Sequence, residues 1–403
     1  MELDKILNQF GLSKPTDNSV HNVNGHIHTP YSFSAFENIK QAVDLAVNEN
    51  IKMLGINDFF VADGYAEFKS TCEASKVYPM FNIEFIGLIQ DFQEKGIRIN
   101  DPGNPGRVYF SGKGLKVPFS LNDPLMQKLE DIKKESLKQV EQMVVKARKF
   151  FADQGVDISL DFNDIKSKYA VNLVRERHIA KAIRIAVGEM AKTADEKKAL
   201  LNKVYGGKEG KADVNNNNAL EDEIRGMLLK AGGAAFVPED PKAFLPLKEI
   251  IEIIINAGGI PCYPLLLDAL KGNYTDFEGD WENMHKTLSE LNVKCVELIP
   301  GRNSIGELVK FMRYFYDLGY IILLGTEHNT PELIPITVYA GGKTPLTNEL
   351  KKISFESSCV VAAHQFLTSN DMEGYIDKEG KAHYSEREKF ITLGKAVLDK
   401  FFN

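Results

Sequence analysis

Asn-Val-Asn-Gly-His-Ile-His, residues 22–28, ends on two histidines separated by one residue. The run reads as a strand, and in a strand residues i and i+2 point to one face. His26 and His28 then present two imidazoles about 7 Å apart at Cα, a chelating pair for a divalent transition metal such as Zn, Mn or Fe. Outward from this pair the pattern repeats. A helix over 37–50, with Ile39, Ala42, Val43 and Ala46 on one face, leads into Lys-Met-Leu-Gly-Ile-Asn-Asp (52–58), a second strand closing on Asp58. Tyr78 to Leu88 makes a third, with Glu84 inside it.

The rhythm resumes later in the chain. A helix over 246–257 precedes Ile-Pro-Cys-Tyr (260–263). The strand Val293 to Ile299 is followed by a helix bearing Ile305, Leu308, Val309, Met312 and Phe315, then by Ile-Ile-Leu-Leu-Gly-Thr-Glu-His (321–328). Continuous apolar strands separated by helices argue for parallel pairing buried on both faces. Six strands are counted, with the remainder expected near Val156 to Leu160 or after Pro335. His28, Asp58, Glu84, Tyr263 and Glu327 fall at or near strand C-termini, where the loops of a (β/α) barrel build an active site. No glycine-rich dinucleotide fingerprint follows the first strand, which argues against a Rossmann sheet.

The expected fold class is therefore α/β, a distorted TIM-like barrel with helical insertions. Residues 1–90 form its first part, and 91–155 a helical insertion whose long charged helix runs from about Pro124 to Gln154. Residues 156–345 form the remainder, with a solvated loop at 205–218 that ends in four asparagines. Residues 346–403 form a C-terminal helical extension packing on the barrel exterior.

Composition fits a cored protein. Of 403 residues, 43% are hydrophobic and 26% charged, and the net charge is −7. The acid excess removes the counterion-release drive for an extended nucleic-acid track. The longest uncharged apolar stretch, Ile253 to Leu267, is interrupted by glycines and prolines and is shorter than the ~18 residues of a membrane span. Charges in the first residues replace the apolar run of a secretory signal. The four dispersed cysteines, Cys72, Cys262, Cys295 and Cys359, suit a reducing, cytoplasmic setting.

The blocks His26-Ile-His-Thr-Pro-Tyr-Ser32, Gly55-Ile-Asn-Asp58 and the Glu84 strand resemble the opening of the PHP (polymerase and histidinol phosphatase) family. The likeness continues through Arg175-Glu-Arg-His-Ile-Ala180, Ala257-Gly-Gly-Ile-Pro-Cys-Tyr-Pro264 and Gly325-Thr-Glu-His-Asn329. The order is that of the small-molecule and nucleotide phosphoesterase branch. The resemblance implies a (β/α)7 barrel whose strand ends hold two or three metals, the first on His26, His28, Glu84 and Glu327. The last is a glutamate where the family has an aspartate. Other ligand positions are replaced: Phe59 for a histidine after Asp58, Ala35 for an acid, Asn329 for a histidine, and Tyr263 and Tyr109 at two further histidine positions. One ion per chain is the reading, with two as the alternative.

Further residues carry two readings each. His178 is either a substrate-phosphate or acid/base group or a satisfied core histidine. Asp58 either serves a ligating imidazole and relays protons or caps the following helix. Arg302 either grips phosphate or carboxylate or is a loop arginine. Arg107 either reaches the site or belongs to a turn-rich loop. The first expectation is a metal-dependent phosphomonoesterase in which metal-activated water attacks a small anionic substrate, with Arg302, Arg107, Tyr263 and Tyr109 lining the substrate site. The alternatives are a single-metal isomerase or lyase on a sugar acid, using Tyr263 or Tyr109 as acid/base, and a non-catalytic barrel that binds a metabolite or a partner protein.

Overall fold

The computed structural model describes residues 1–16, 19–269 and 271–403. Seven strands form one sheet in sequential order: β1 (Asn22–Ile27), β2 (Ile51–Phe59), β3 (Tyr78–Leu88), β4 (Arg107–Lys113), β5 (Ile260–Leu265), β6 (Cys295–Leu298) and β7 (Ile321–Leu324). A two-residue strand, Leu245–Pro246, adds to the edge of β3. Neighbours pair in parallel, except that β4 is antiparallel to both β3 and β5. Between β7 and β1 the sheet closes through the segment after β7. There the His28 N–H donates to the Glu327 carbonyl at 2.7 Å, and the Thr326 and Glu327 N–H groups donate to the His26 carbonyl at 3.1 and 3.0 Å. The architecture is an α/β TIM-like barrel.

All six strands expected from the apolar runs are present. The seventh does not lie near Val156 to Leu160, which forms no strand. Val156, Ile158 and Leu160 instead bury themselves in a helical core. It is β4, inside the stretch 91–155 that reads as insertion. Being antiparallel, β4 needs no crossover helix after β3. It also turns Ser111 and Lys113 to the barrel interior, which breaks the apolar run by which a buried strand is recognised.

Three cores organise the rest. The first lies between the sheet and its surrounding helices. The second joins the starts of the strands (Met53, Met80, Cys262, Cys295, Ile321) to the chain's last helices. The third belongs to a helical module beside the barrel mouth.

The long helix α1 (Asp123–Asp153) bridges the first and third cores. Asn122 caps it by accepting the Leu125 N–H at 3.0 Å, with a proline in the first turn. Its first half presents Leu125, Leu129 and Ile132 to the barrel, and its second half presents Val140, Met143, Val144, Ala147 and Phe151 to the module. Helix α2 (Glu176–Met190) belongs to that module and points its N-terminus at the mouth.

The C-terminal extension does more than lie on the exterior. Helix α3 (Asn348–Thr368) is buried nearly all round, and Cys359 to Ala363 seal the barrel at the strand N-termini together with α4 (Arg387–Phe402). Gln365 accepts the Phe81 N–H at 2.8 Å and donates to the Pro79 carbonyl at 3.0 Å, so this seal is hydrogen-bonded to the strands it closes. Among the described residues the strand N-terminal end is packed shut, and the cavity lies at the strand C-terminal end.

Gly325 lets the closing segment approach β1, since a Cβ built there lies 2.4 Å from the His26 Cβ. Gly325→Ala is expected to cost about 1–3 kcal/mol in urea unfolding, because the clash is with packed core. Gly188→Ala on α2, where an added Cβ meets nothing within 4 Å, should be neutral or stabilising by up to ~1 kcal/mol.

Candidate metal centre

Strand parity decides which side chains converge at the mouth. The inward positions include His26 on β1, Asn57 and Phe59 on β2, Glu84 on β3, Tyr109, Ser111 and Lys113 on β4, and Glu297 on β6. Their mutual contacts across the interior follow. His28 follows β1 directly, on the same face as His26.

His26, His28 and Glu84 form a buried group, each offering one ligand atom. The two Nε2 atoms stand 3.3 Å apart, and Glu84 Oε2 lies 3.2 Å from His28 Nε2 and 3.7 Å from His26 Nε2. Ligands at ~2.0–2.1 Å in a tetrahedron stand roughly 3.3–3.4 Å from one another, so the three separations match a site prepared for an ion. The remote nitrogens are engaged elsewhere. Glu297 Oε2 accepts from His26 Nδ1 at 2.9 Å, and Ser32 Oγ lies 3.5 Å from His28 Nδ1. A proton on His26 Nδ1 leaves its Nε2 lone pair on the side of the group, where it also accepts from Asn57 Nδ2 at 3.0 Å. Burial lowers the His28 pKa, which favours the neutral ring a metal requires.

Glu84 Oε2 is buried without a hydrogen-bond partner. Such an atom carries its full desolvation penalty. Burial accordingly pushes the Glu84 carboxyl up to about 8; His26 opposes the rise, and Glu327 and Glu297 add to it. Two imidazole nitrogens and one carboxylate oxygen with an open side are the donor set of catalytic zinc and of mononuclear iron sites. The residues fit a divalent transition metal.

Around this trio the other carboxylates are already neutralised. Lys113, fully buried, donates to Glu297 Oε2 at 2.5 Å and to Asn57 Oδ1 at 2.9 Å, and Ser111 donates to Glu297 Oε1 at 2.7 Å. Although burial opposes it, the Lys113 charge, helped by the His26 ring and its hydrogen bond, holds Glu297 well below the usual carboxylate range. Glu297 and Lys113 escaped the sequence reading. The available signal was one charge inside the apolar strand Cys295–Leu298.

Glu327, expected as a fourth ligand, is not brought into the trio. It and the adjacent His328 adopt left-handed backbone conformations, φ 62° and 55°. The Glu327 carboxylate is held by both guanidinium nitrogens of Arg302, with Oε1 2.9 Å from Nη1, and by Asn329 Nδ2 at 2.7 Å. The fork of the guanidinium matches the two oxygens of the carboxylate. Arg302 lines the cavity, but it spends its charge on Glu327.

Asp58, expected as a proton relay, accepts from the Thr29 N–H at 2.7 Å and from the Thr29 and Ser32 hydroxyls at 2.5 Å each. It is buried outside the cavity wall, 3.9 Å from His28 Nδ1, and pins the turn after β1. His178 accepts the Arg175 N–H on Nδ1 at 2.9 Å, closing the first turn of α2. Burial, with Lys181 adding, lowers its pKa to about 4, and it faces a neighbouring cavity. Tyr263 points outward, because Cys262 and Pro264 take the inward positions of β5. Its hydroxyl donates to Glu278 at 2.8 Å. Arg107 pairs with Asp101 at 2.7 Å and with Glu239. Tyr109 does line the cavity, its ring 6.1 Å from Phe59, and burial pushes its phenol well above the usual value, so it faces the site as a neutral hydroxyl.

The cavity holds about 320 Å³ and is lined by Arg175, Arg177, Arg225 and Arg302 as well as by the trio's His26 and Glu84. Among the described residues no helix is long and apolar enough to cross a membrane.

No family model and no curated protein matches the chain at the level of sequence. Solved structures do. A protein of Bifidobacterium adolescentis whose description reads "putative metal-dependent phosphoesterase" superposes with a TM-score of 0.54 at 12% identity, covering 84% of this chain and 95% of that one. An amidohydrolase from Chromobacterium violaceum, with sulfate bound and no metal, superposes with a TM-score of 0.50 at 15% identity, covering 82% and 96%. The likeness is one of fold.

Because the metal-free trio holds a proton on Glu84 up to about pH 8, loading an ion must release it. Titration calorimetry with Zn²⁺ in buffers of different ionisation enthalpy should show close to one proton released at pH 6.5 and none at pH 9. Affinity should rise about tenfold per pH unit below 8. Glu297→Gln, which weakens the hold on His26, should lower metal affinity about 10–100-fold.

Proposed function

We propose that the chain is a metal-dependent hydrolase of a small anionic substrate, most simply a phosphomonoesterase of PHP type with a single ion. The observation that carries this reading is the unpartnered Glu84 Oε2 beside two convergent imidazole nitrogens at the mouth of a TIM-like barrel. The two superposed structures, one named a "putative metal-dependent phosphoesterase" and one a sulfate-bound amidohydrolase, support it by analogy of fold.

The charges favour a single ion. Of the acids beside the trio, Glu297 has Lys113, Glu327 has Arg302, and Asp58 lies outside the cavity wall, held by Thr29 and Ser32, which leaves Glu84 as the carboxylate for a cation. The positions at which the PHP resemblance departs agree, since Phe59 and Tyr263 offer no ligand and Phe59 stacks on His28 at 5.0 Å instead.

A divalent ion at this place supplies Lewis acidity toward an ester oxygen and lowers the pKa of a water. The chain's own residues do the rest. Glu297 and Lys113 hold the His26 ring from below. Asp58, through Thr29 and Ser32, holds the turn that carries His28. Tyr109 offers a neutral hydroxyl donor to a substrate oxygen, and the guanidinium groups at the rim favour an anion entering the cavity. Tyr263, one of the two candidate acid/base groups of an isomerase or lyase, faces away from the cavity, which favours the hydrolase.

Elemental analysis of the purified protein should give about one transition-metal ion per chain, and the His26→Ala/His28→Ala double variant should carry none while keeping its fold by circular dichroism. The metal-loaded protein should hydrolyse phosphomonoesters in a screen that also includes uronates. Turnover of uronates alone, or a metal-free protein with intact ligand binding, would reject the proposal.

A further inference from the structure

Glu327 is tied to the backbone of the trio without belonging to the trio. Its carbonyl accepts the His28 N–H at 2.7 Å, and its N–H donates to the His26 carbonyl at 3.0 Å. The left-handed turn at 327 and 328 parts the two side chains. His328 stacks on Phe36 at 4.6 Å, with Nε2 2.9 Å from the Ile334 carbonyl, whereas Glu327 lines the cavity with His26 and Glu84. Burial raises the Glu327 pKa, yet Arg302 and then the His26 and His28 rings hold it below the ordinary carboxylate value. The carboxylate therefore stands ionised, in the field of both imidazoles.

At that place it would complete a set of two imidazoles and two carboxylates. Four protein ligands close a tetrahedral site, whereas a hydrolytic site holds three and leaves a position for water. Three donors occupy the Glu327 carboxylate instead. Arg302 Nη1 donates to Oε1 at 2.9 Å, Arg302 Nη2 to Oε2, and Asn329 Nδ2 to Oε2 at 2.7 Å.

The guanidinium comes off a fixed turn. Pro300–Arg302 forms one 3-10 turn just after β6. The next residue, Asn303, is buried; its side chain donates to the Leu266 carbonyl at 2.7 Å and to Asp268 at 3.0 Å, and its carbonyl accepts the Gly341 N–H at 2.7 Å. Arg302 thus reaches the cavity wall from a braced base and spends both terminal nitrogens on one carboxylate. A direct grip on a substrate anion would need that fork to be free.

We infer that Arg302 is a positioning residue that withholds Glu327 from the ion, so that the centre keeps three protein ligands and stays open to water and substrate. Asn329 assists the same restraint. The inference rests on the metal-centre reading and adds to it the device that separates an open site from a closed one.

Water-proton relaxation of the Mn²⁺-loaded protein reports exchangeable water on the ion, and electron paramagnetic resonance gives the Mn²⁺ affinity. Arg302→Met frees Glu327, so it should bind Mn²⁺ about 10–100-fold tighter and carry fewer exchangeable waters than the native protein. Loss of a positive charge alone would tighten binding and leave the water in place. Arg302→Lys, which keeps the charge but offers one contact in place of the fork, should lose part of the water signal. Arg302→Met/Glu327→Gln should return the signal to the native value and the affinity to within about threefold of it. Glu327→Gln alone, with Arg302 present, should leave the signal unchanged.

A rise in exchangeable water in Glu327→Gln shows that Glu327 is already a ligand. That result, or native relaxation in Arg302→Met, overturns the inference and leaves the metal centre standing. Should Arg302→Met not fold by circular dichroism, Arg302→Lys decides in its place. A native protein that takes up neither Mn²⁺ nor Zn²⁺ overturns the metal reading and this inference together.

Discussion

A buried carboxylate oxygen without a partner is the constraint from which the rest of the site follows. Glu84 Oε2 and two imidazole nitrogens share one corner of the barrel mouth at separations of 3.2 to 3.7 Å. Asn57 Nδ2 reaches His26 Nε2 at 3.0 Å, and the repulsion that remains between the carboxylate oxygen and the imidazole lone pairs is relieved by a proton or a cation among them. Burial raises Glu84 until the proton serves, and under the proposed function a metal ion takes the place of that proton. Neighbouring elements are arranged to keep this corner electron-rich. Glu297 turns the His26 ring, Asp58 pins the turn after β1, and α3 closes the far end of the barrel.

The neighbouring carboxylates show why this works. If Glu297 and Glu327 were also unpaired, their charges would raise one another's proton affinity and the corner would fill with protons. Lys113 and Arg302 prevent this. A buried lysine next to a metal trio is unexpected, because taking its charge out of water is expensive. Its geometry answers the objection, with Glu297 and Asn57 both within 2.9 Å of the ammonium. Its removal would leave Glu297 uncompensated and free the His26 ring, so the cost of keeping it is tied to the shape of the site.

Much of the fold was legible in the chain, and the reason is parity. Six strands announce themselves as apolar runs, polar residues at or near their ends draw attention to His26, His28 and Glu84, and the family resemblance supplies their role as ligands. Strand β4 stayed hidden because its inward residues are Ser111 and Lys113 and because an antiparallel strand breaks the strand–helix alternation. The same parity argument, applied one step further, places Tyr263 outward, since Cys262 and Pro264 occupy the inward positions of its strand. Glu327 and Arg302 could not be resolved this way. Each was singled out for its chemistry, and only three-dimensional proximity shows that they neutralise one another.

His178 illustrates how a residue can lie beside a site and still act through another. Its ring is buried and neutral, with Nδ1 taking the Arg175 N–H. This bond completes the first turn of α2 and sets the direction in which Arg175 leaves the backbone. The ring edge meets Phe33, over which Arg177 lies at 4.9 Å. Arg177 is bound to Asp222 on the module, whereas Arg175 donates to Ser136 Oγ. Two arginines on either side of Glu176 are thus separated by one helix turn's geometry into a structural and an available cation. The helical module, with its own core, holds the available one at the edge of the barrel mouth.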